Sequence, residues 1–241
     1  MGNFQASLER IKYPALNVVY DNYGLESVKL GNINTLKSIK NKYGKHIEKW
    51  GNLLEIDFGV LTCFIAVESM GVDDLKPNNA KATGLCQVTP INTIEVISKF
   101  KTITKKSFPV DIANYLNKKA SFLMELTPNN QKITPAQEKV LLELLQKDNE
   151  FNILLGAISL RWLIDYLKIN NKTSLAKVIL GYNQSPYGRV QKYKNVEVTA
   201  MELFEDKKIP GTKAPKETRN YIAKLLGSNG FVDLLLENKI Y

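Results

Sequence analysis

The sequence predicts a mainly helical protein with one small β-element. Apolar residues recur at the spacing of a helix face in most segments after Gly31, as Leu36, Ile39 and Tyr43 do. The best hairpin candidate is the segment 17–30, N-V-V-Y-D-N-Y-G-L-E-S-V-K-L, in which β-rich ends flank a Tyr-Gly turn. We therefore expect a hairpin there and helices over nearly all of the remaining chain.

Length and composition fit one substantial core with an added terminal element. The chain has 241 residues, of which 44% are hydrophobic. It lacks the roughly 20 uninterrupted apolar residues that span a bilayer, and its first residues lack the pattern of a secretory signal. We divide it into an N-terminal extension, 1–33, and a domain, 34–241.

The charge is basic, with 33 lysines and arginines against 24 acidic residues and a net charge of +9. This favours anionic partners, but the lysines are scattered rather than concentrated, which is typical of a solvated surface. We expect no specific nucleic-acid binding, because no recognised binding motif occurs. Cys63 and Cys86 lack metal-ligand spacing, and we interpret them as small buried residues.

Glu68 stands out because it ends an apolar run, F-I-A-V-E-S-M-G. It follows Leu61, Phe64 and Ile65 at i+7, i+4 and i+3, so it lies on the same helix stripe as core residues. Gly71 supplies a helix stop. The helix dipole and the apolar neighbours both raise the expected pKa of Glu68, which suits a general acid.

Two later segments look like polar groups aimed into a cleft. In T-G-L-C-Q-V-T-P, Gly84 permits a tight turn and Gln87 interrupts a short apolar stretch. In the second segment, an apolar helix face ends in Tyr182 and Asn183 before the turn Q-S-P-Y-G. Tyr187 in that turn is a candidate sugar platform, because an aromatic ring in an exposed loop has little structural purpose.

These motifs resemble those of the soluble lytic transglycosylases, whose pattern runs E-S, G-L-M-Q-x-x-P and A-Y-N-x-G in the same order. The segment 152–167 is similar to the family helix N-x-x-x-G-x-x-Y-L, and 217–226 to its closing E-T-R-x-Y-V. The resemblance covers roughly residues 35–226. Cys86 replaces the usual methionine, and Gly181 replaces the usual alanine.

The resemblance implies a lysozyme-like fold with its small hairpin near the cleft, and cleavage of the MurNAc–GlcNAc β-1,4 bond of peptidoglycan. Glu68 takes the place of the glutamate that protonates the glycosidic oxygen and then draws the proton from the 6-hydroxyl, which closes a 1,6-anhydro ring. No metal or cofactor is implied. The positions that match family residues lining the cleft or orienting substrate are Ser69, Gln87, Tyr182, Asn183 and Tyr221.

Alternatives to this function remain open at this point. An inverting hydrolase needs a second carboxylate about 6.5–9.5 Å from the first, and we interpret Asp73, Asp74 and Glu95 as surface residues. That favours a mechanism with one carboxylate without excluding a goose-type lysozyme, which hydrolyses the same bond. The third reading is an inactive peptidoglycan-binding or virion module.

The expected place of action is the bacterial cell wall. Without a recognised leader, the sequence suggests a phage-encoded enzyme, carried in the virion with other virion proteins or released from the host cytoplasm at lysis.

Overall fold

The computed structural model describes residues 18–167, 175–184 and 216–241. The fold is mainly helical, as predicted, and forms two compact units that are each discontinuous in sequence. The first unit contains the described residues of 1–42, 57–67 and 163–241, and the second contains 43–56 and 68–162.

The described helices follow one another along the chain with one 3-10 segment, Ser121–Glu125. They are α1 (Glu26–Leu54), α2 (Phe58–Ser69), α3 (Pro90–Thr104), α4 (Val110–Ala120), α5 (Pro135–Lys147), α6 (Asn149–Tyr166), α7 (Leu175–Gln184), α8 (Lys216–Leu226) and α9 (Phe231–Glu237). No helix within these ranges combines the length and the hydrophobicity that a membrane crossing requires. Helix α1 runs through the boundary expected between 33 and 34.

The hairpin expected at 17–30 is wrong over the residues that the structure describes. A turn occupies residues 21–24, and α1 begins at Glu26. The upstream segment pairs elsewhere, since the Val18 carbonyl accepts from Ser228 N at 3.1 Å and Tyr23 packs edge-on against Phe231. Residues 26–30 continue the helical spacing of apolar residues found downstream. The stability of this long helix outweighs the β-propensity of a few residues in the segment.

Strand structure in the described residues is limited to single bridge residues, which are Thr83 with Val88, Thr127 with Asn130, and Gly227. None of these forms a hairpin of regular strands. A lysozyme-like relationship therefore stays a prediction from the sequence.

In the first unit, α2 is buried over almost its full length. Leu61, Phe64 and Ile65 are at most 1% exposed. The Thr62 hydroxyl lies 2.7 Å from the Tyr241 hydroxyl, and Lys40 donates to the carbonyl of Ile240. The end of the described chain is therefore fixed to α1 and α2 by polar contacts as well as by apolar burial.

In the second unit, helix starts follow their sequence signals. Thr89 caps α3 by accepting from Asn92 N at 3.0 Å, with Pro90 in the first turn. Thr134 and Gln137 form a reciprocal capping box at the start of α5. Both helices therefore begin at a threonine cap that is followed directly by proline.

Candidate functional site

Glu68 lies in the last turn of α2 and is half-buried. The stripe that precedes it faces the core as predicted, and the helix ends at Ser69. Met70 and Gly71 then adopt left-handed backbone with φ of 54° and 72°. The chain turns away from the helix axis directly after the carboxylate, as the predicted stop at Gly71 requires.

Ser69 shapes this turn. It is buried, and its hydroxyl accepts from Gly71 N at 3.1 Å. Its carbonyl accepts from Val72 N at 3.0 Å. The residue predicted to bind substrate therefore also fixes the backbone that follows Glu68.

Gln87 lies in a compact loop closed by the Thr83–Val88 bridge. Both its backbone N–H and its side-chain Nε2 donate to the Gly84 carbonyl, at 3.2 and 2.9 Å. The loop has left-handed backbone twice, at Gly84 with φ of 71° and at Gln87 with φ of 46°. A glutamine rarely adopts this conformation, so neighbouring contacts must hold it there.

Asn152 supplies such contacts; it begins the 152–167 motif, but sequence reasoning assigned it no role. Its side chain is fully buried in α6, where Oδ1 accepts from Cys86 N at 2.7 Å. Its Nδ2 donates to the carbonyls of Thr83 and Leu145, at 2.9 and 2.8 Å. The available signal was an amide placed directly before a long apolar run, where a buried polar group needs partners.

Glu68 and the Gln87 loop are electrostatically coupled through Cys86. Burial raises the pKa of the Cys86 thiol, and the charge of Glu68 raises it further. The E-S and G-L-C-Q motifs are therefore close together, and the thiol stays neutral near neutral pH. Cys63 is also buried, and both cysteines are free thiols, as predicted.

The other predicted residues form a separate group in the first unit. The Phe64 ring lies 5.0 Å from the ring of Tyr182 and 6.4 Å from that of Tyr221. Asn183 accepts from the hydroxyl of Thr218 at 2.7 Å. Helices α7 and α8 thus bring the Y-N and E-T-R-x-Y segments together.

Exposure differs within this group. Tyr182 and Asn183 are half-buried, whereas Tyr221 and Thr218 are buried. Tyr221 is therefore better placed to support the Phe64 cluster than to stack on a sugar. Tyr187 lies outside the described residues.

The three acidic residues considered as a second carboxylate have protein partners. Asp74 accepts from Gln146 at 2.9 Å and Asp73 from Asn149 at 3.3 Å, and both aspartates are exposed as predicted. Glu95 is half-buried and pairs with Lys99 at 2.9 Å within α3. In the described part of the chain, no three His, Cys, Asp or Glu side chains are grouped as metal ligands would be.

No protein-family model matches this chain, and neither a curated protein nor a solved structure matches it. The functional argument therefore depends on the motifs and on the geometry of the two groups of residues.

Gly84→Ala should destabilise the protein. An added Cβ would meet the Asn152 amide and the Leu145 carbonyl, on a backbone whose left-handed φ disfavours alanine. We expect a loss of at least about 2 kcal/mol, or about 5 °C in melting temperature. Thermal unfolding followed by circular dichroism measures it.

Gly31→Ala is the matched control, because the new methyl meets open space inside α1. It should raise stability by up to about 1 kcal/mol. Equal losses for both variants would contradict the close packing at Gly84.

Both thiols should resist labelling in the native protein. The raised pKa values of Cys63 and Cys86 keep the thiols protonated, and burial blocks access to them. A chromogenic disulfide reagent at pH 8 should label neither thiol before denaturation and both after it. Rapid labelling of one thiol in the native state would show that its surroundings are open.

Proposed function

We propose that this protein is a peptidoglycan lytic transglycosylase in which Glu68 is the general acid and base. The observation that carries the proposal is the position of Glu68, at the end of a buried helix stripe and electrostatically coupled to the G-L-C-Q loop. An ionisable group beside apolar residues and a shaped polar loop is typical of a catalytic position.

One carboxyl group suffices for the proposed reaction. Protonated Glu68 gives its proton to the glycosidic oxygen while the bond from that oxygen to C1 of MurNAc breaks. The resulting carboxylate accepts the proton of the 6-hydroxyl as O6 bonds to C1. The products are a free 4-hydroxyl on GlcNAc and a 1,6-anhydro ring on MurNAc, and no water is consumed.

Two features of the surroundings of Glu68 support its proposed role. It lies at the carboxyl end of a helix, which carries partial negative charge, and the preceding residues on the same stripe of α2 are apolar. The engagement of Asp73, Asp74 and Glu95 with protein partners supports a mechanism that needs no second carboxylate.

Each unit has its own proposed glycan contacts: Gln87 in the second unit, and Tyr182 and Asn183 in the first. Gln87 is half-buried on a loop that two bonds to Gly84 hold in shape. The Phe64 ring supports Tyr182, and the Thr218 hydroxyl orients the Asn183 amide. Side chains fixed in this way bind substrate with little loss of conformational entropy. The proposed place of action is the bacterial cell wall, where this substrate occurs.

Glu68→Gln should abolish release of soluble muropeptides, because the amide cannot donate the required proton. We expect a loss of about 10²–10⁴-fold in rate. Mass spectrometry of digests from several types of peptidoglycan should show wild-type products that are one water lighter than hydrolysis products. Glu48→Gln, the same change at an exposed position on α1, should retain the wild-type rate.

The products separate the possible outcomes. Reducing-end products that also depend on Glu68 would mean hydrolysis and a lysozyme. Absence of release by the wild-type protein from every wall type would overturn the enzymatic proposal in favour of a binding module.

Thr218→Val should weaken catalysis through Asn183. The substitution preserves shape but removes the donor that orients the Asn183 amide. Loss of one such bond predicts a decrease of about fivefold in kcat/KM. Thr218→Ser keeps the hydroxyl and should keep most activity, so equal losses in both variants would contradict the orienting role.

A further inference from the structure

Asn152 stands out among the buried polar residues of the second unit because its side chain makes three hydrogen bonds, all to backbone groups outside α6. The three partners are Cys86 N, the Thr83 carbonyl and the Leu145 carbonyl. None of these three partners belongs to α6. The backbone N–H of Asn152, in contrast, makes a local bond to the Asp148 carbonyl. The Asn152 amide therefore links α6 to two other segments, the Gln87 loop and the end of α5.

The amide closes the Gln87 loop from both ends. Thr83 and Cys86 flank Gly84 and Leu85, so one side chain fixes the backbone before and after them. The third bond satisfies a carbonyl in the last turn of α5, which has no partner within its own helix. Asn152 thus ties the loop to the end of α5 as well as to α6.

Two conformational features of the loop depend on this arrangement. Gly84 lies so close to the Asn152 amide that no side chain fits between them. Gln87 has left-handed backbone, and the N–H of the residue directly before it, Cys86, donates to Asn152. The bonds from Gln87 to Gly84 close the loop internally, and the Asn152 bond connects it to α6, so loss of that bond should let Gln87 move toward negative φ and redirect its side chain.

We infer that Asn152 is the positioning residue that holds Gln87 in its substrate-binding orientation next to Glu68. The inference rests on the proposed function, since it assigns Asn152 to the same reaction. Asn152 is completely buried, so it acts through the loop and touches no glycan.

A double-mutant cycle tests the inference. Asn152→Ala should lower kcat on peptidoglycan about tenfold to a hundredfold, as displaced catalytic groups do. In a Gln87→Ala background, the same substitution should cost less than about twofold, because the group it positions is gone. A role in folding alone would reduce both backgrounds by the same factor, and that result would overturn the inference.

Ser159→Ala is the matched control. Ser159 is a buried polar residue of α6 whose hydroxyl bonds to Asn92 in α3 and to the Leu155 carbonyl, and to no residue of the Thr83–Val88 loop. Its removal should change kcat less than about twofold and should act equally in both backgrounds. A Gln87-dependent effect at Ser159 would overturn the assignment to Asn152.

Amide exchange of the wild-type protein gives a measurement that requires neither activity nor a folded variant. The Cys86 N–H belongs to no helix, yet it should exchange much more slowly than the N–H of Lys81, whose bond lies in an exposed turn. Equal exchange rates would overturn the inference. If the wild-type protein releases no muropeptides, the proposed function falls, and this exchange rate still decides whether Asn152 holds the loop.

Discussion

The burial of one apolar helix face is the constraint on which the candidate chemistry depends. Helix α2 places Phe64 in the core and Glu68 one turn later, at the point where the helix ends. Burial of Leu61, Phe64 and Ile65 fixes the rotation of α2 about its axis, and with it the direction in which Glu68 leaves the helix. Hydrophobic packing of the preceding turns therefore sets the direction in which the carboxylate points.

The same helix contributes to both groups of candidate residues. Phe64 packs against Tyr182 and Tyr221, while Glu68 influences the thiol of Cys86. Substitutions in α2 that preserve hydrophobicity but change shape would alter the ring packing in the first group. In the second group they would alter the position of the Glu68 carboxylate. The apolar run therefore has a role in orientation beyond its contribution to stability.

Local signals predicted a large part of this structure. The end of α2, the caps at Thr89 and Thr134 and the burial of both cysteines all follow from residues close together in sequence. The hairpin was wrong because the helix already begins at Glu26, while Val18 bonds to Ser228, about two hundred residues away, a contact that no local pattern reveals. Motif order suggested the candidate residues, but the lysozyme-like fold and the activity remain proposals.

The bonds of Asn152 lay beyond prediction for the same reason. Its partner Cys86 is separated from it by 66 positions, and nothing in either segment specifies the pairing. The sequence motif identified Gln87 as a polar residue in an apolar stretch. Only the structure shows that Gln87 has left-handed backbone and that a buried amide on α6 binds the N–H of the preceding residue.

The discontinuity of the first unit has a consequence for biosynthesis. Val18, Lys40 and Thr62 are translated long before their partners Ser228, Ile240 and Tyr241. These contacts cannot form until the segment 228–241 has been synthesised, and contacts over such separations form slowly. The packing of Phe64 against Tyr182 and Tyr221 must likewise wait for α7 and α8, a delay built into the order of translation.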